Sequence, residues 1–206
     1  MSAPFHMFGI IGDGDNTAAS LTPYLAANPS GATVIINSPG GDAFEGSAIM
    51  AELDRHGGVT VMVQGIAASA ASLAMCGGKT IIAHPDAAIM IHEPGAVSFG
   101  TADGHRRTAD TLDKLAGIYA SAYARATGNP VARVAAWMKA ETWLTASEAL
   151  ALNFIDQIEG DGQPVAVAQF DFTRFQHAPA TLVQMARANG WATASPDTGT
   201  KEKTNA

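Results

Sequence analysis

Cysteine is nearly missing from this chain of 206 residues: Cys76 is the only one. A single thiol forms no internal disulfide, so packing must hold the fold, and a reducing, cytoplasmic setting is expected. Charge is sparse as well. Asp, Glu, Lys and Arg make up 15% of the residues and the formal net charge is −7. That balance lacks the basic footprint of a nucleic-acid binder, and no nucleic-acid partner is predicted. No apolar run approaches the ~20 residues that span a bilayer. Residues 1–6 carry neither a basic segment nor a long apolar one, so neither a signal peptide nor a membrane partner is expected. No metal-ligand spacing, phosphate loop or internal repeat is visible, and no metal or cofactor is predicted. What the chain does have is apolar residues, at 47%. At this length they can bury about 70% of the unfolded surface, which implies one domain with some extra sequence.

Short β-branched runs alternate with helical patterns. Residues 7–12, 33–37, 59–64, 79–84, 88–91 and 154–158 read as strands. Thr17 caps a helix over 17–28, and Pro29-Ser30-Gly31 breaks it. Asp42 with Glu45 resembles a capping box for a helix running to about His56. A long pattern from Ala102 to Thr127 puts Leu112, Leu115, Ile118, Tyr119 and Ala122 on one side, and Gly128 stops it. A helix over 131–139 follows, and Thr145 with Glu148 forms a capping box for another through Leu152. The alternation implies an α/β domain over residues 1–159. Residues 160–164 read as a linker. Phe170, Phe172 and Phe175 make 160–191 a C-terminal arm, with a short helix over 180–189. Residues 192–206 have no apolar residue but alanine and are expected to be disordered.

The most informative stretch is Gly65-Ile66-Ala67-Ala68-Ser69-Ala70-Ala71-Ser72. A strand precedes it, and Leu73-Ala74-Met75-Cys76 continues as a helix that ends at Gly77-Gly78. Ser69 should therefore sit where a strand turns into a helix, beside unpaired backbone N–H groups that favour negative charge. This is the logic of a serine hydrolase elbow, although the motif is not G-x-S-x-G. The plainer account is that Ser69 caps a core helix, and that stretch alone favours it. Ser38-Pro39-Gly40-Gly41-Asp42 reads as a strand-to-helix turn whose glycines can aim N–H groups at an oxyanion. His92, at a strand end before Glu93-Pro94-Gly95, is placed for exposure at a site. His6, His56, His84, His105 and His177 have no comparable setting.

Four blocks taken together resemble the ClpP-type serine peptidases: Asn37-Ser38-Pro39-Gly40-Gly41, Gly65-Ile66-Ala67-Ala68-Ser69, Met90-Ile91-His92-Glu93-Pro94 and Trp143-Leu144-Thr145-Ala146. They cover residues 8–158 in order. The phage head maturation branch is the most similar, through Asn-Ser-Pro-Gly-Gly-Asp, Ala-Ala-Ser-Ala-Ala-Ser and Glu-Thr-Trp. The resemblance implies an α/β, crotonase-like fold of stacked β-β-α units with a long protruding helix. It also implies a Ser69 nucleophile, a His92 general base and an oxyanion hole from the N–H groups of Gly41 and Ala70. Glu141 falls where the cellular branch has Asp, and takes the third triad role. The alternative is that Glu141 is a surface residue and that an Asp or water orients His92. Gly40, Gly95, Ala96, Val97 and Ser98 match positions that bind an extended substrate, within a segment over 96–100 that is strand or loop.

The implied function is an ATP-independent serine endopeptidase that cleaves capsid or scaffold proteins during procapsid maturation. Few residues precede Met7, and no ATPase partner is predicted. The 102–127 helix would span about 39 Å at 1.5 Å per residue, long for one small domain to cover. A ring-like homo-oligomer is therefore expected. The alternatives are a cellular ClpP-like subunit working with an unfoldase ATPase, a catalytically silent scaffold protein, and an acyl-CoA enzyme of the crotonase type.

Overall fold

Apolar β-branched runs buried on both faces favour parallel strands between helices, and the computed structural model has this arrangement. It describes residues 3–159 and 169–192. The chain divides into two compact units, Met1–Ala168 and Gln169–Ala206.

In the first unit the elements are β1 (Phe5–Ile11), α1 (Ala18–Ala27), β2 (Ala32–Gly41), α2 (Ala43–His56), β3 (Val59–Ala68) and α3 (Ala70–Met75). They continue with β4 (Thr80–Ala83), β5 (Ala88–Ile91), α4 (Ala102–Thr127), α5 (Val131–Lys139), β6 (Thr142–Thr145), α6 (Ala146–Ala151) and β7 (Gln157–Ile158). The seven-stranded sheet runs β1-β2-β3-β4-β7, with β5 pairing to both β3 and β6. Every ladder is parallel except β5–β6. Val34, Ile36, Val59, Val61 and Val63 fill the centre, with Leu21 and Leu25 of α1 and Ile49 and Leu53 of α2 in the same core.

Several local readings need correction. The predicted turn at residues 38–42 is the continuation of β2, which runs on to Gly41. Pro39 cannot donate to a ladder, and the chain absorbs it as an irregularity: two steps on β1, Phe8 to Ile10, face three on β2, Asn37 to Gly40. The capping box expected at Asp42 is half made. Asp42 accepts from the Glu45 N–H at 2.8 Å, but the Glu45 carboxylate accepts from the Ala18 N–H, tying α2 to the start of α1. Thr17 and Thr145 cap as read, and Thr145 with Glu148 completes a reciprocal box. The 154–158 strand shrinks to Gln157–Ile158, because Phe154 and Ile155 are buried side chains of the turn before it.

The long helix has the expected bounds, and of the predicted apolar side only Tyr119 is fully buried in the chain. Tyr119, Ala120, Tyr123, Ala124 and Thr127 are its buried residues. Leu112, Leu115 and Ala122 are half-buried, and Ile118 is 60% exposed. Only the C-terminal part of α4 is packed. Residues 102–118 contain no buried position.

The second unit is described from Gln169 to Ala192. Asp171 caps a 3-10 turn over Phe172–Arg174, and α7 spans Ala180–Ala188, close to the predicted short helix. The rings of Phe170, Phe172 and Phe175 lie with centroids 5.4–6.5 Å apart, so the apolar arm forms an aromatic cluster. The predicted linker, the start of the arm and residues 193–206 of the predicted tail lie outside the described residues. Among the described residues no helix is long and apolar enough to cross a membrane.

Candidate active site

In open parallel sheets, functional groups collect at the carboxyl ends of the strands. Here β2 ends at Gly41, β3 runs into Ser69 and β5 runs into His92. Register brings them together: Ser38 pairs with Ala67, and Ala68 pairs with Met90.

Ser69 has φ 55° and ψ −124°, a left-handed conformation that a residue with a Cβ adopts only under constraint. Its N–H donates to the Met90 carbonyl at 2.9 Å, and its own carbonyl accepts from the Ser72 N–H at 3.0 Å. It precedes α3, yet its hydroxyl makes no capping hydrogen bond. This disposes of the plainer account. The hydroxyl instead lies 2.7 Å from His92 Nε2.

His92 is half-buried just past β5. Burial holds its imidazole below the ordinary value, while the carboxylates of Glu141 and Glu93 act to raise it. The ring is therefore neutral at physiological pH. A neutral ring accepts the Ser69 proton at Nε2 only in the tautomer that carries its own proton on Nδ1.

Glu141 arrives from the other side. In the antiparallel β5–β6 ladder, Met90 faces Trp143 and Ile91 faces Thr142. His92 follows the last paired residue of β5 and Glu141 precedes the first paired residue of β6, so both lie at the same end of the ladder. Glu141 is 9% exposed, so it is not the surface residue of the alternative reading. Its backbone has φ 49°, and the Trp143 indole N–H donates to its Oε1 at 3.3 Å.

Gly40 lies directly against the serine turn. A Cβ there would come within 2.7 Å of Ser69 Cβ and 3.1 Å of the Ala70 nitrogen, and φ is +99°. A Cβ at Gly41 would meet the Ile11 carbonyl at 2.2 Å. Only glycine lets the β2 backbone come this close to Ser69 and Ala70.

The predicted substrate segment is irregular and forms no ladder. Gly95, Ala96 and Val97 are exposed, and Ser98 is half-buried. The Ser98 hydroxyl lies 2.7 Å from His105 Nδ1, tethering the segment to the first turn of α4.

Sequence reasoning missed Tyr123 and the part Ser72 plays. The Ser72 hydroxyl is fully buried and lies 2.7 Å from the Ser69 and Met90 carbonyls and 2.8 Å from the Tyr123 hydroxyl. The available signal was Tyr119 and Tyr123 at i, i+4 on a helix otherwise poor in large residues. Cys76 is buried, and burial pushes its thiol up to about 12, so it is an unreactive packing residue. Among the described residues no cluster of His, Cys, Asp and Glu could hold a metal ion.

A serine on a strained strand-to-helix turn, hydrogen-bonded to a half-buried histidine at the end of the paired strand, is an arrangement that can activate a hydroxyl nucleophile. The Clp protease family model matches residues 16–161, and the chain belongs to that family of serine peptidases. It is 31% identical over 150 residues to ATP-dependent Clp protease proteolytic subunit 3 of Rhodococcus jostii, an alignment covering 70% of this chain and 73% of the relative. It is 33% identical over 129 residues to proteolytic subunit 2 of Thermobifida fusca, covering 61% of this chain and 64% of the relative. A mutant ClpP1 from Listeria monocytogenes superposes with a TM-score of 0.67 at 21% identity, covering 77% of this chain and 91% of the other. That likeness supports the α/β ClpP-like fold.

Proposed function

We propose that the chain is an ATP-independent serine endopeptidase in which Ser69 is the nucleophile, His92 the general base and Glu141 the orienting acid. The 2.7 Å contact between a Ser69 hydroxyl with no capping duty and His92 Nε2 carries this reading. As Ser69 Oγ attacks a peptide carbonyl carbon, His92 Nε2 takes its proton. The carbonyl oxygen becomes an oxyanion, held by the N–H groups of Gly41 and Ala70. His92 passes the proton to the departing amine, leaving an acyl ester on Ser69. Water then attacks the ester with the same base, and the acid product leaves. Glu141 holds the imidazole in its Nδ1–H form and stabilises the imidazolium. Gly40 and the Gly95–Ser98 segment take the substrate as an extended strand, where main-chain bonding tolerates many sequences.

The biological setting we propose is cleavage of capsid or scaffold proteins in a procapsid or the host cytoplasm, by a ring-like homo-oligomer. The Asn37-to-Asp42 and Glu141-to-Trp143 motifs support it. The second reading is a cellular proteolytic subunit driven by an unfoldase ATPase, and the relatives, named as ATP-dependent Clp protease proteolytic subunits, favour it. A fluorophosphonate probe tests the chemistry: Ser69 should be labelled, and absence of labelling would leave a silent scaffold of the same fold. Digestion of a co-expressed capsid or scaffold protein without nucleotide supports the first setting. Digestion of folded substrates only with an unfoldase and ATP supports the second.

A further inference from the structure

The strained Ser69 backbone has to be held by something, and the groups that hold it are specific. Conformations of this kind cost roughly 1–3 kcal/mol and persist only where surrounding structure over-determines them. Two carbonyls frame the turn: that of Met90, which accepts the Ser69 N–H at 2.9 Å, and that of Ser69 itself. The Ser72 hydroxyl lies 2.7 Å from each of them. Behind it, the Tyr123 hydroxyl lies 2.8 Å from Ser72 Oγ and 3.4 Å from the Ser69 carbonyl. Ser72 has one hydrogen to give. Tyr123 supplies the second, so each carbonyl receives a hydroxyl hydrogen in addition to its backbone N–H only when both hydroxyls are present. Both residues are buried, so water does not replace a missing partner without rearrangement.

We infer that Ser72 and Tyr123 form a positioning pair, in which the packed end of α4 fixes the Ser69 turn and aims its hydroxyl at His92. Neither touches substrate, and neither takes a proton in the reaction. The Met90 carbonyl lies two residues before His92, so the pair registers the nucleophile strand against the base strand. Burial raises the Tyr123 phenol well above its ordinary value, keeping it a donor throughout the working pH range. The inference rests on Ser69 being the nucleophile.

The test compares Tyr123→Phe, Ser72→Ala and the double variant with wild type, using Ser69→Ala as the control. Each is assayed for peptide kcat and KM, phosphonate labelling rate and thermal melting. Tyr123→Phe keeps the ring and removes only the oxygen. It should lower kcat and the labelling rate about 10–100-fold, the scale of a misplaced reacting group, with KM within about twofold. The double variant should fall no further than the worse single one, because both hydroxyls serve one network. If Tyr123→Phe keeps kcat and labelling within about twofold of wild type, the positioning role is overturned. Additive losses in the double variant, or losses that track a lowered melting temperature, overturn it equally. If Ser69→Ala still cleaves and is still labelled, the nucleophile assignment fails and this inference goes with it.

Discussion

The two ends of α4 answer to different physics. From Tyr119 to Thr127 the helix is packed, with Tyr123 hydrogen-bonded beneath the serine turn. From Ala102 to Ile118 no residue is buried. The segment leading into it carries Val97 at 84% and Phe99 at 93% exposure. One region is held within a single chain: the strained Ser69 backbone, the Ser72 and Tyr123 hydroxyls and the carbonyls of the turn have partners there, and of its buried hydroxyls that of Tyr119 is left without one among the described residues. The other leaves apolar side chains in water, as surfaces do when a partner covers them. Chemistry held by the fold of one chain lies beside a surface that one chain does not finish.

The largest effect should come from the packed region. Ser69→Ala removes the proposed nucleophile and should lower kcat by about 10⁶, with phosphonate labelling gone and the fold kept. Ser72→Ala should still be labelled at Ser69, only more slowly, because the Ser72 hydroxyl is buried and committed to backbone carbonyls. Labelling that survives Ser69→Ala and vanishes in Ser72→Ala would reverse the assignment.

Glu141→Gln should come next, lowering kcat by roughly 10³–10⁴ if the carboxylate orients His92. A second readout separates orientation from mere packing. In the proposed mechanism the base is neutral His92, so activity should be present above its folded pKa and lost as pH falls through it. Burial depresses that pKa and Glu141 raises it. Removing the charge should therefore move the acid limb of kcat/KM to lower pH. An unmoved limb, with kcat within about tenfold, would send the search for the orienting group elsewhere.

How much was legible follows the same division. The strand-turn-helix at Ser69, the end of β5 at His92 and the bounds of α4 could be read, because β-branched runs, glycine stops and Thr caps are local signals. The run of β2 through Pro39 to Gly41 could not. Its burial comes from β1 and β3 on either side, and tertiary pairing overrode the turn signal of Pro-Gly-Gly. The buried part of α4 was missed for a related reason. Periodicity marks an apolar stripe and suggested a partner for it, but it does not say which part of that stripe its own domain covers, so the division at Tyr119 could not be read. Glu141 was placed by motif alone; the pairing that brings its end of β6 to the His92 end of β5 exists only once the two strands meet.

The exposed region is tested by Ile118→Lys. If a second copy covers this face in a ring, a charge there should cost about 2 kcal/mol or more, roughly thirtyfold in association. Light scattering should then show a smaller mass at micromolar concentration, with peptidase activity falling alongside. Wild-type protein that is already a monomer at that concentration would count against the ring, as would an Ile118→Lys assembly indistinguishable from wild type.

The smallest effects sharpen the comparison best, because one substitution can be made in both regions. Thr145 and Thr101 are both helix N-caps. Thr145 accepts from the Glu148 N–H at 3.3 Å, and Glu148 returns a bond to the Thr145 N–H at 2.9 Å. Thr101 accepts from the Gly104 N–H at 3.2 Å at the start of α4. Thr to Ala removes a similar bond in each case. Thr145 lies on β6, which pairs with β5 inside the sheet, so opening its cap reaches the cooperative unit. Thr101 begins a stretch with no buried residue, where fraying costs little and stays local. Thr145→Ala should lower the melting temperature by about 2–4 °C, and Thr101→Ala by less than about 1 °C. Hydrogen exchange should separate them too, with Thr101→Ala speeding exchange only in the first turns of α4. Equal melting losses in the monomeric Ile118→Lys background would show the exposed end of α4 to be part of the same cooperative unit, and the contrast between the two ends would fall.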